Sequence, residues 1–476
     1  MTICALATAP GGAIGIIRIS GPQTLEILSR VFTKNLTSAQ PNTIHYGHII
    51  EPDNEPHAEY DAQPDVVYDV ALQHPPSAHQ QTIDEVLVSV FRSPHSYTGE
   101  DSAEISCHGS RYILNKVLAL LIENGCRQAG PGEFTQRAYL NGKMDLSQAE
   151  AVADLIASTN RATHQMAMSQ LRGHFSNELA TLREQLLKLT SLLELELDFS
   201  DHEDLEFADR SQLYELAKTI DNRITQLAHS FETGQAIKQG IPVAIVGKTN
   251  VGKSTLLNRL LKDERAIVSN IHGTTRDTIE DTIDIHGVTF RFIDTAGIRQ
   301  TSDQVEQIGI ERTYQAISKA RIVLWMIDAE PSTEEISNIT QRIEKKSLIV
   351  VVNKIDKHHL PALSALTSQP PYPVVKIAAK YAQGIPQLEQ AIYDAAQLPD
   401  ITHSDIIITN ARHYDALIRA HESIERVIVG MNQQLPGDLL AEDLRLTIDT
   451  LAEITGGQIT PNEVLGNIFT NFCVGK

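Results

Sequence analysis

The sequence is poor in cysteine, and the few it has show none of the pairings that cysteine-based frameworks use. Its 476 residues include only Cys4, Cys107, Cys126 and Cys473. They form no Cys-x-x-Cys pair and lack metal-ligand spacing, which excludes a zinc ribbon and a disulfide-stapled scaffold. We therefore predict reduced thiols in a reducing compartment.

Long apolar segments are missing as well. No apolar run reaches the roughly 20 residues that a membrane-spanning helix needs. The first residues contain no basic segment followed by an apolar run, so nothing predicts a secretory signal. The expectation is a soluble, cytoplasmic protein that engages no membrane.

Basic residues are also few relative to acidic ones. Lys and Arg number 40 against 60 Asp and Glu, which gives a formal net charge of −20. Long-range electrostatics therefore disfavours free binding to nucleic acid, unless a local basic patch or a partner protein overrides it. The length exceeds what one ordinary core supports, so two to four domains are expected.

The most informative stretch that is present is a glycine-rich loop between an apolar strand and a helical run. It reads Gly247-x4-Gly252-Lys253-Ser254 and matches the phosphate-binding P-loop at every required position. Backbone N–H groups converge on phosphate oxygens, Lys253 reaches the β- and γ-phosphates, and the Ser254 hydroxyl ligates Mg²⁺. The following helix adds the partial positive charge of its N-terminus. The pattern predicts binding of a nucleoside triphosphate.

Four further motifs follow the P-loop in a fixed order. They are Ser269-Asn-Ile-His-Gly-Thr-Thr-Arg-Asp277, Asp294-Thr-Ala-Gly297, Asn353-Lys-Ile-Asp356 and Ala378-Ala-Lys380. A threonine of the first closes on Mg²⁺ and the γ-phosphate, while Asp294 holds the Mg²⁺ shell and Gly297 senses the γ-phosphate. In the third, Asp356 accepts from guanine, and Asn353 and the Lys354 stem fix the ring. The order predicts a GTPase rather than a generic ATPase.

The glutamine that orients water in Ras-like enzymes is replaced here. Ile298 follows the Asp294–Gly297 motif where those enzymes carry it, and no arginine finger can be assigned. A monovalent cation beside the phosphates, with Asn250 as a ligand, is one way to supply the missing stabilisation. An acidic residue of the 302–306 segment could then position water. The alternative is a very slow GTPase that acts only as a switch.

The N-terminal third alternates short β-rich runs with one amphipathic helix, as in a mixed α/β domain. The strands are expected at 13–20 and 85–91, and the helix at 110–124. A proline-rich segment, 51–81, predicts a long surface loop with a strand-like piece at 66–72. Two stretches, Tyr97–Gly109 and Gly130–Asp145, combine glycine with Glu, Arg and Lys. That composition suits a polar small-molecule pocket and capped turns equally.

Helical periodicity flanks the nucleotide motifs on both sides. Before them, leucines and one phenylalanine repeat at intervals of three and four between Phe175 and Leu193. After them, two similar stripes run from Tyr414 to Met431 and from Leu440 to Leu451. We expect these arms to pack together, so that the nucleotide domain is an insertion in a helical domain. A coiled-coil dimer is the alternative interpretation of the first stripe.

Taken together, these motifs closely resemble one family, the tRNA modification GTPase MnmE (TrmE) proteins. Besides the GTPase motifs, the resemblance is carried by Gly15–Ser20, Tyr97–Asp101, Arg137–Asn141 and the terminal Phe472-Cys-Val-Gly-Lys476, and it covers essentially the whole chain. Two features depart from the family pattern. The 51–81 loop is longer than expected, and Ala378 replaces the usual serine, which removes a hydroxyl near the guanine loop.

The resemblance implies a multidomain α/β and all-α fold. An N-terminal α+β domain, residues 1–141, would bind tetrahydrofolate and dimerise the protein. A central helical domain, in two parts at 142–236 and 398–476, would be interrupted by a Ras-like P-loop GTPase domain at 237–397.

The resemblance also implies site residues. Arg18, Glu104, Lys143 and Lys476 would hold folate, and Glu306 would position the attacking water. Ser254 and Thr275 would bind Mg²⁺, and K⁺ would be bound by Asn250, Ser269, Ile271 and Thr274. Cys473 is a possible catalytic thiol. The GTP-binding set would be Asn250, Val251, Gly252, Lys253, Ser254, Thr255, Ser269, Asn270, Ile271, His272, Gly273, Thr274, Thr275, Asp294, Thr295, Ala296, Gly297, Asn353, Lys354, Asp356, Ala378, Ala379 and Lys380.

The implied function is a K⁺-dependent GTPase activated by pairing of two GTPase domains in a homodimer. With a flavin-dependent partner, MnmG (GidA), in a heterotetramer-type complex, such proteins add a carboxymethylaminomethyl or aminomethyl group to C5 of the wobble uridine of certain tRNAs. The carbon comes from 5,10-methylenetetrahydrofolate, for which 5-formyltetrahydrofolate is an analogue. The partner would make most tRNA contacts. The alternative is a regulatory or ribosome-assembly GTPase switch, which would need no folate pocket.

Overall fold

The computed structural model describes most of the chain. The described residues are 1–51, 81–198, 210–263, 281–293, 315–343, 346–357, 372–398 and 406–457, together with 468, 469, 472 and 475. Most of the predicted 51–81 loop lies outside them. The chain divides into two compact units, one of residues 1–153 with 455–476 and the other of residues 154–454.

The first unit is built on a six-stranded sheet. Its strands are β1 (Ile3–Leu6), β2 (Ile14–Ser20), β3 (Thr43–Ile50), β4 (Thr82–Phe91), β5 (Ser102–His108) and β6 (Arg127–Gln128). They lie in the order β3-β4-β5-β2-β1-β6, and all neighbours are antiparallel except β1 and β6. The helices are α1 (Thr24–Val31), α2 (Arg111–Glu123), α3 (Glu133–Leu140) and α4 (Leu146–Ala157).

One face of this sheet forms the main core of the first unit against α1 and α2. Alternate strand residues such as Ile17, Val88 and Ile105 are fully buried there, as a half-buried strand requires. Leu114 and Val117 of α2 complete the contact. The predicted strands and helix of the N-terminal third are confirmed, with ends shifted by up to three residues.

Three of the four cysteines are described, and all three are free and buried in the first unit. Burial and, to a smaller extent, the nearby Asp84 carboxylate together raise the pKa of Cys107 to about 12. This thiol therefore stays protonated at neutral pH and serves as a core residue.

The helical part of the second unit is assembled from both arms of the sequence. It comprises α5 (Arg161–Leu171), α6 (His174–Asp198) and α7 (Arg210–Gln239) before the nucleotide motifs, and α11 (Ala411–Asn432) and α12 (Gly437–Thr455) after them. The predicted stripe lies on one face of α6, and every member from Phe175 to Leu193 is buried. Leu417 and Ile424 of α11 and Leu444 of α12 belong to the same core. The expected packing of the two arms is confirmed.

The nucleotide part of the second unit is a second six-stranded sheet. Its strands are β7 (Ile241–Gly247), β8 (Asp281–Ile285), β9 (Val288–Phe292), β10 (Ile322–Ile327), β11 (Ser347–Val352) and β12 (Val374–Lys376). Their order is β12-β11-β10-β7-β9-β8, and only the edge strand β8 is antiparallel to its neighbour. Helices α8 (Lys253–Asp263), α9 (Thr333–Ile343) and α10 (Ile385–Ala395) accompany it. The predicted fold class is confirmed.

Candidate functional site

The parallel strands of the nucleotide sheet end at one edge, and the sequence motifs lie there. The P-loop follows β7, Asp328 follows β10, Asn353 follows β11, and Ala378 lies just after β12. Because β7, β10 and β11 are neighbours, the loops that follow them meet at the carboxyl edge of the sheet. This edge is where ligands bind in open α/β sheets.

Two glycines allow the P-loop to run close to neighbouring loops and side chains. Gly247 has φ +148°, and a Cβ there would lie 2.3 Å from the carbonyl oxygen of Met326. Gly252 has φ +105°, and a Cβ there would lie 2.3 Å from Nδ2 of Asn353. Both positions therefore need glycine, for conformation and for space. The loop fits a phosphate cradle because its backbone is free of side chains at these points.

Lys253 lies at the first position of α8. Its ammonium donates to the carbonyl oxygens of Gly247 at 2.6 Å and of Lys248 at 2.7 Å. Burial lowers the pKa of Lys253. Within the described residues its hydrogen bonds go to neutral carbonyls, so a phosphate anion at the helix N-terminus would meet a partly desolvated cation.

Asn353 joins three loops at the same edge. Its Nδ2 donates to the carbonyl oxygen of Val251 at 2.7 Å, and its Oδ1 accepts from the backbone N–H of Ala379 at 3.1 Å. The residue is only 6% exposed. Asn353 therefore holds the P-loop and the loop after β12 together, in addition to the base-fixing role that the motif predicts.

Lys354 makes a second link between the guanine motif and the P-loop. Its ammonium donates to the carbonyl oxygen of Asn250 at 2.7 Å and to Oδ2 of Asp328 at 2.6 Å. Asp328 belongs to none of the five nucleotide-binding motifs in the sequence. The sequence did contain a feature that could have indicated it. Asp328 directly follows the fully buried strand β10, at the edge of the sheet where the other motifs lie.

The remaining guanine-site residues lie beside these links. Asp356 is exposed, which leaves its carboxylate accessible to a base. Ala378 and Ala379 are buried, whereas Lys380 lies over the ring of Tyr381 at 5.4 Å. Ser254 and Thr255 occupy the first turn of α8. The other predicted GTP, Mg²⁺ and K⁺ residues, at 269–275 and 294–297, lie outside the described residues, as do Glu306, Cys473 and Lys476.

A second polar site lies in the first unit on strands β2 and β5. Arg18 donates from Nε at 2.9 Å and from Nη2 at 2.7 Å to Oε1 of Glu104. Its Nη1 donates to the carbonyl oxygen of Gly475 at 3.2 Å. The guanidinium lies 5.6 Å from the ring centroid of Tyr97 and 5.7 Å from that of Phe134. Arg18, Glu104 and Gly475 are thus brought together.

Lys143 lies against a loop of the same unit. Its Nζ donates to the carbonyl oxygen of Pro94 at 3.0 Å, and its stem lies near Gly99. The structure gives no contact between Lys143 and either Arg18 or Glu104, although Tyr97 belongs to the loop that Lys143 touches.

The two glycine-rich stretches of the N-terminal third are tied to each other. Glu100 of the first accepts from Nη1 of Arg137 in the second at 2.9 Å, and Asn141 donates to the carbonyl oxygen of Thr98 at 2.7 Å. Some of their polar side chains therefore stabilise turns, which is one of the two roles, pocket or capped turns, that the composition suits. Glu104 instead faces the site beside Arg18.

Two other kinds of site are absent from the described residues. None of the described helices combines the length and apolarity needed to cross a membrane. Within the same residues, no group of three His, Cys, Asp or Glu side chains is placed to hold a metal ion.

Comparison with known proteins gives one consistent result. The family model of the MnmE helical domain matches residues 146–473, and that of the GTP-binding protein TrmE N-terminus matches residues 2–143. The tRNA modification GTPase MnmE of Phocaeicola vulgatus is 56% identical, over 100% of this chain and 99% of the relative. Those of Bacteroides thetaiotaomicron and Flavobacterium johnsoniae are 53% and 47% identical with the same coverage. The chain therefore belongs to the tRNA modification GTPase MnmE family.

Proposed function

We propose that this chain is a K⁺-dependent GTPase that acts with a flavin-dependent MnmG partner on tRNA. Together they would add a carboxymethylaminomethyl or aminomethyl group to C5 of the wobble uridine, with the carbon supplied by 5,10-methylenetetrahydrofolate. The observation that carries the proposal is the juxtaposition of the P-loop and the guanine motif through Asn353, which contacts Val251 and Ala379. A family member in which the P-loop and the guanine motif are both intact has the residues needed to bind and hydrolyse GTP.

The phosphate-binding chemistry rests on α8 and the loop before it. Lys253 is already oriented by two carbonyls of the loop, and its charge would complement the β- and γ-phosphates. Backbone N–H groups at the start of α8 would add hydrogen bonds. Mg²⁺, held by Ser254 and Thr275, would neutralise charge that develops on the phosphate oxygens.

We expect the protein to prefer guanine although Ala378 stands where the family usually has a serine. The N–H of Ala379 binds Oδ1 of Asn353, so a backbone bond holds this loop beside the P-loop without a serine hydroxyl. Asp356 is exposed and would accept from guanine N1–H and the exocyclic amine. Lys380 completes the loop.

Catalysis would depend on a cation instead of an arginine finger. Asn250 lies in the P-loop with φ +64°, and with Ser269, Ile271 and Thr274 it would hold K⁺ beside the phosphates. Glu306 would position the attacking water, since the residue after the Asp294–Gly297 motif is Ile298. Pairing of two GTPase domains in a homodimer would complete the site.

The folate proposal rests on the Arg18 cluster. Both hydrogen bonds from Arg18 to Glu104 go to Oε1, so Oε2 takes part in neither and is able to accept from a pterin edge. The rings of Tyr97 and Phe134 provide flat apolar surface beside the charged pair. Lys143 and Lys476 would pair with carboxylates of the ligand, and Cys473 is a possible catalytic thiol.

The net charge of this chain, as well as its family, supports a complex with MnmG. With a net charge of −20, this chain would leave most tRNA contacts to MnmG in a heterotetramer-type complex. We place the complex in the cytoplasm. The boundaries 1–141, 142–236, 237–397 and 398–476 remain our proposal for the domains of each copy.

The decisive test is mass spectrometry of nucleosides from tRNA treated with this protein, MnmG, GTP, K⁺ and methylenetetrahydrofolate. A C5-substituted wobble uridine that requires this protein is the expected product. Unmodified uridine, with MnmG shown to be active, would overturn the modification reaction and favour a GTPase switch. GTP turnover in K⁺ and in Na⁺ at equal ionic strength tests the cation separately, and equal rates would reject it.

A further inference from the structure

Asp328 lies at the centre of the loops that surround the nucleotide edge, although no motif includes it. Its Oδ2 accepts a hydrogen bond from Nζ of Lys354 at 2.6 Å. The same ammonium donates to the carbonyl oxygen of Asn250 at 2.7 Å. The three residues follow β10, β11 and β7, which are neighbours in the sheet, so one ammonium group spans three successive loops.

The carboxylate determines where this ammonium lies. A lysine side chain is flexible, and fixing it costs rotamer entropy. One hydrogen bond to the neutral carbonyl of Asn250 offsets only part of that cost, since the net contribution of such bonds is small. A charge-assisted bond to Asp328 is roughly twice as strong and directs the remaining ammonium hydrogens toward the P-loop.

Both ends of the contact with the P-loop have unusual backbone conformations. Asn250 has φ +64° and Lys354 has φ +65°, in the left-handed region that residues with a Cβ rarely occupy. Such residues persist where surrounding contacts determine their conformation. The hydrogen bond from Lys354 to Asn250 is a contact of this kind, and it acts on both residues at once.

We propose that Asp328 is a positioning residue for GTP hydrolysis, which couples guanine recognition to the cation site. It holds Lys354 against the carbonyl of Asn250, so the guanine motif fixes the P-loop residue assigned to K⁺. The inference rests on the proposed cation role of Asn250.

Removal of the charge at Asp328 should therefore affect two properties together. In Asp328→Asn, the K⁺ concentration for half-maximal GTP turnover should rise about tenfold, which corresponds to about 1.4 kcal/mol. Affinity for GDP should fall by a similar factor, because the loops that hold the base are less well fixed. Asp328→Glu keeps the charge and should recover most of both.

A matched control separates positioning from general stabilisation. Asp443 is also ion-paired, with Arg426 at 2.8 Å, and its side chain is 29% exposed against 31% for Asp328. Asp443→Asn in the full-length protein should leave K⁺ dependence and GDP affinity unchanged. Asp328→Ser is made in parallel as a second neutral variant, and thermal unfolding is recorded for every protein.

A double-mutant cycle between Asp328 and Lys354 tests whether Asp328 acts through that lysine. In a Lys354→Met background, Asp328→Asn should have no further effect on K⁺ half-saturation, since Asp328 acts through that lysine. Unchanged K⁺ half-saturation and GDP affinity in folded Asp328→Asn or Asp328→Ser would overturn the proposal. Additive losses in the double variant would also overturn it. If the wild-type protein shows no K⁺ preference, the proposed cation chemistry fails, while GDP affinity still tests the positioning role.

Discussion

Arg18 donates a hydrogen bond to the carbonyl oxygen of Gly475, a residue 457 positions later in the chain. Gly475 has φ +95°, and a Cβ there would lie 2.3 Å from the carbonyl oxygen of Leu6. Gly475 is therefore fitted closely into the first unit, where Phe469 and Phe472 are also buried. Gly475 therefore has a structural role beside the candidate folate pocket.

Replacement of Arg18 by alanine should weaken binding of 5-formyltetrahydrofolate by at least about tenfold. The substitution removes the charge-assisted bonds that orient Glu104, and bonds to charged groups contribute on the order of 1.5–3 kcal/mol. Titration calorimetry on the full-length protein measures the effect. Arg426→Ala, on the exposed part of α11, is the control and should bind normally. Unchanged affinity in Arg18→Ala would reject the pocket.

Replacement of Gly252 by alanine should abolish measurable GTP binding. The new Cβ would lie 2.3 Å from Nδ2 of Asn353 at a backbone φ of +105°, so the loop or the asparagine must move. Fluorescent-nucleotide titration provides the measurement. Gly12→Ala is the matched control, since its Cβ would meet only a carbonyl oxygen at 3.5 Å. A Gly252→Ala protein that binds GTP normally would contradict the described P-loop geometry.

Replacement of Glu306 by alanine should abolish GTP turnover while leaving GTP affinity nearly unchanged. The carboxylate is assigned to the attacking water, so its loss affects the transition state and not the bound ground state. Single-turnover hydrolysis and nucleotide titration together make the measurement.

The control for Glu306 is the other acidic residue of the same segment. Asp303→Ala changes the local charge equally and should hydrolyse GTP at the wild-type rate. Equal loss in the two variants would mean that the segment needs negative charge in general. A large loss of GTP affinity in Glu306→Ala would assign that residue a structural role.

Replacement of Leu186 by alanine should destabilise the helical core by about 2–5 kcal/mol, since it leaves a cavity among close-packed side chains. Leu186 is fully buried in α6, whereas its neighbour Leu187 is 39% exposed. Leu187→Ala should change stability by no more than about 0.5 kcal/mol. Urea denaturation followed by helical circular dichroism compares the two. Similar midpoints would contradict the assignment of the stripe to the core.

Local sequence determined a large part of this protein. The stripe from Phe175 to Leu193 specified a helix and its buried face, because period and apolar character act within a few turns. The P-loop specified strand, turn and helix together, because its glycines permit a backbone that other residues resist. These features depend on neighbours in sequence, so the sequence was sufficient to predict them.

Tertiary structure decided which distant groups meet. The link between Asp328 and Lys354 depends on β10 and β11 being adjacent in the sheet, and the link to Asn250 depends on β7 lying on the other side of β10. Likewise, Arg18 meets Glu104 because β2 and β5 pair in the register that places them opposite each other. No local pattern encodes a partner, since a carboxylate pairs with whichever cation strand order and register bring within hydrogen-bonding distance.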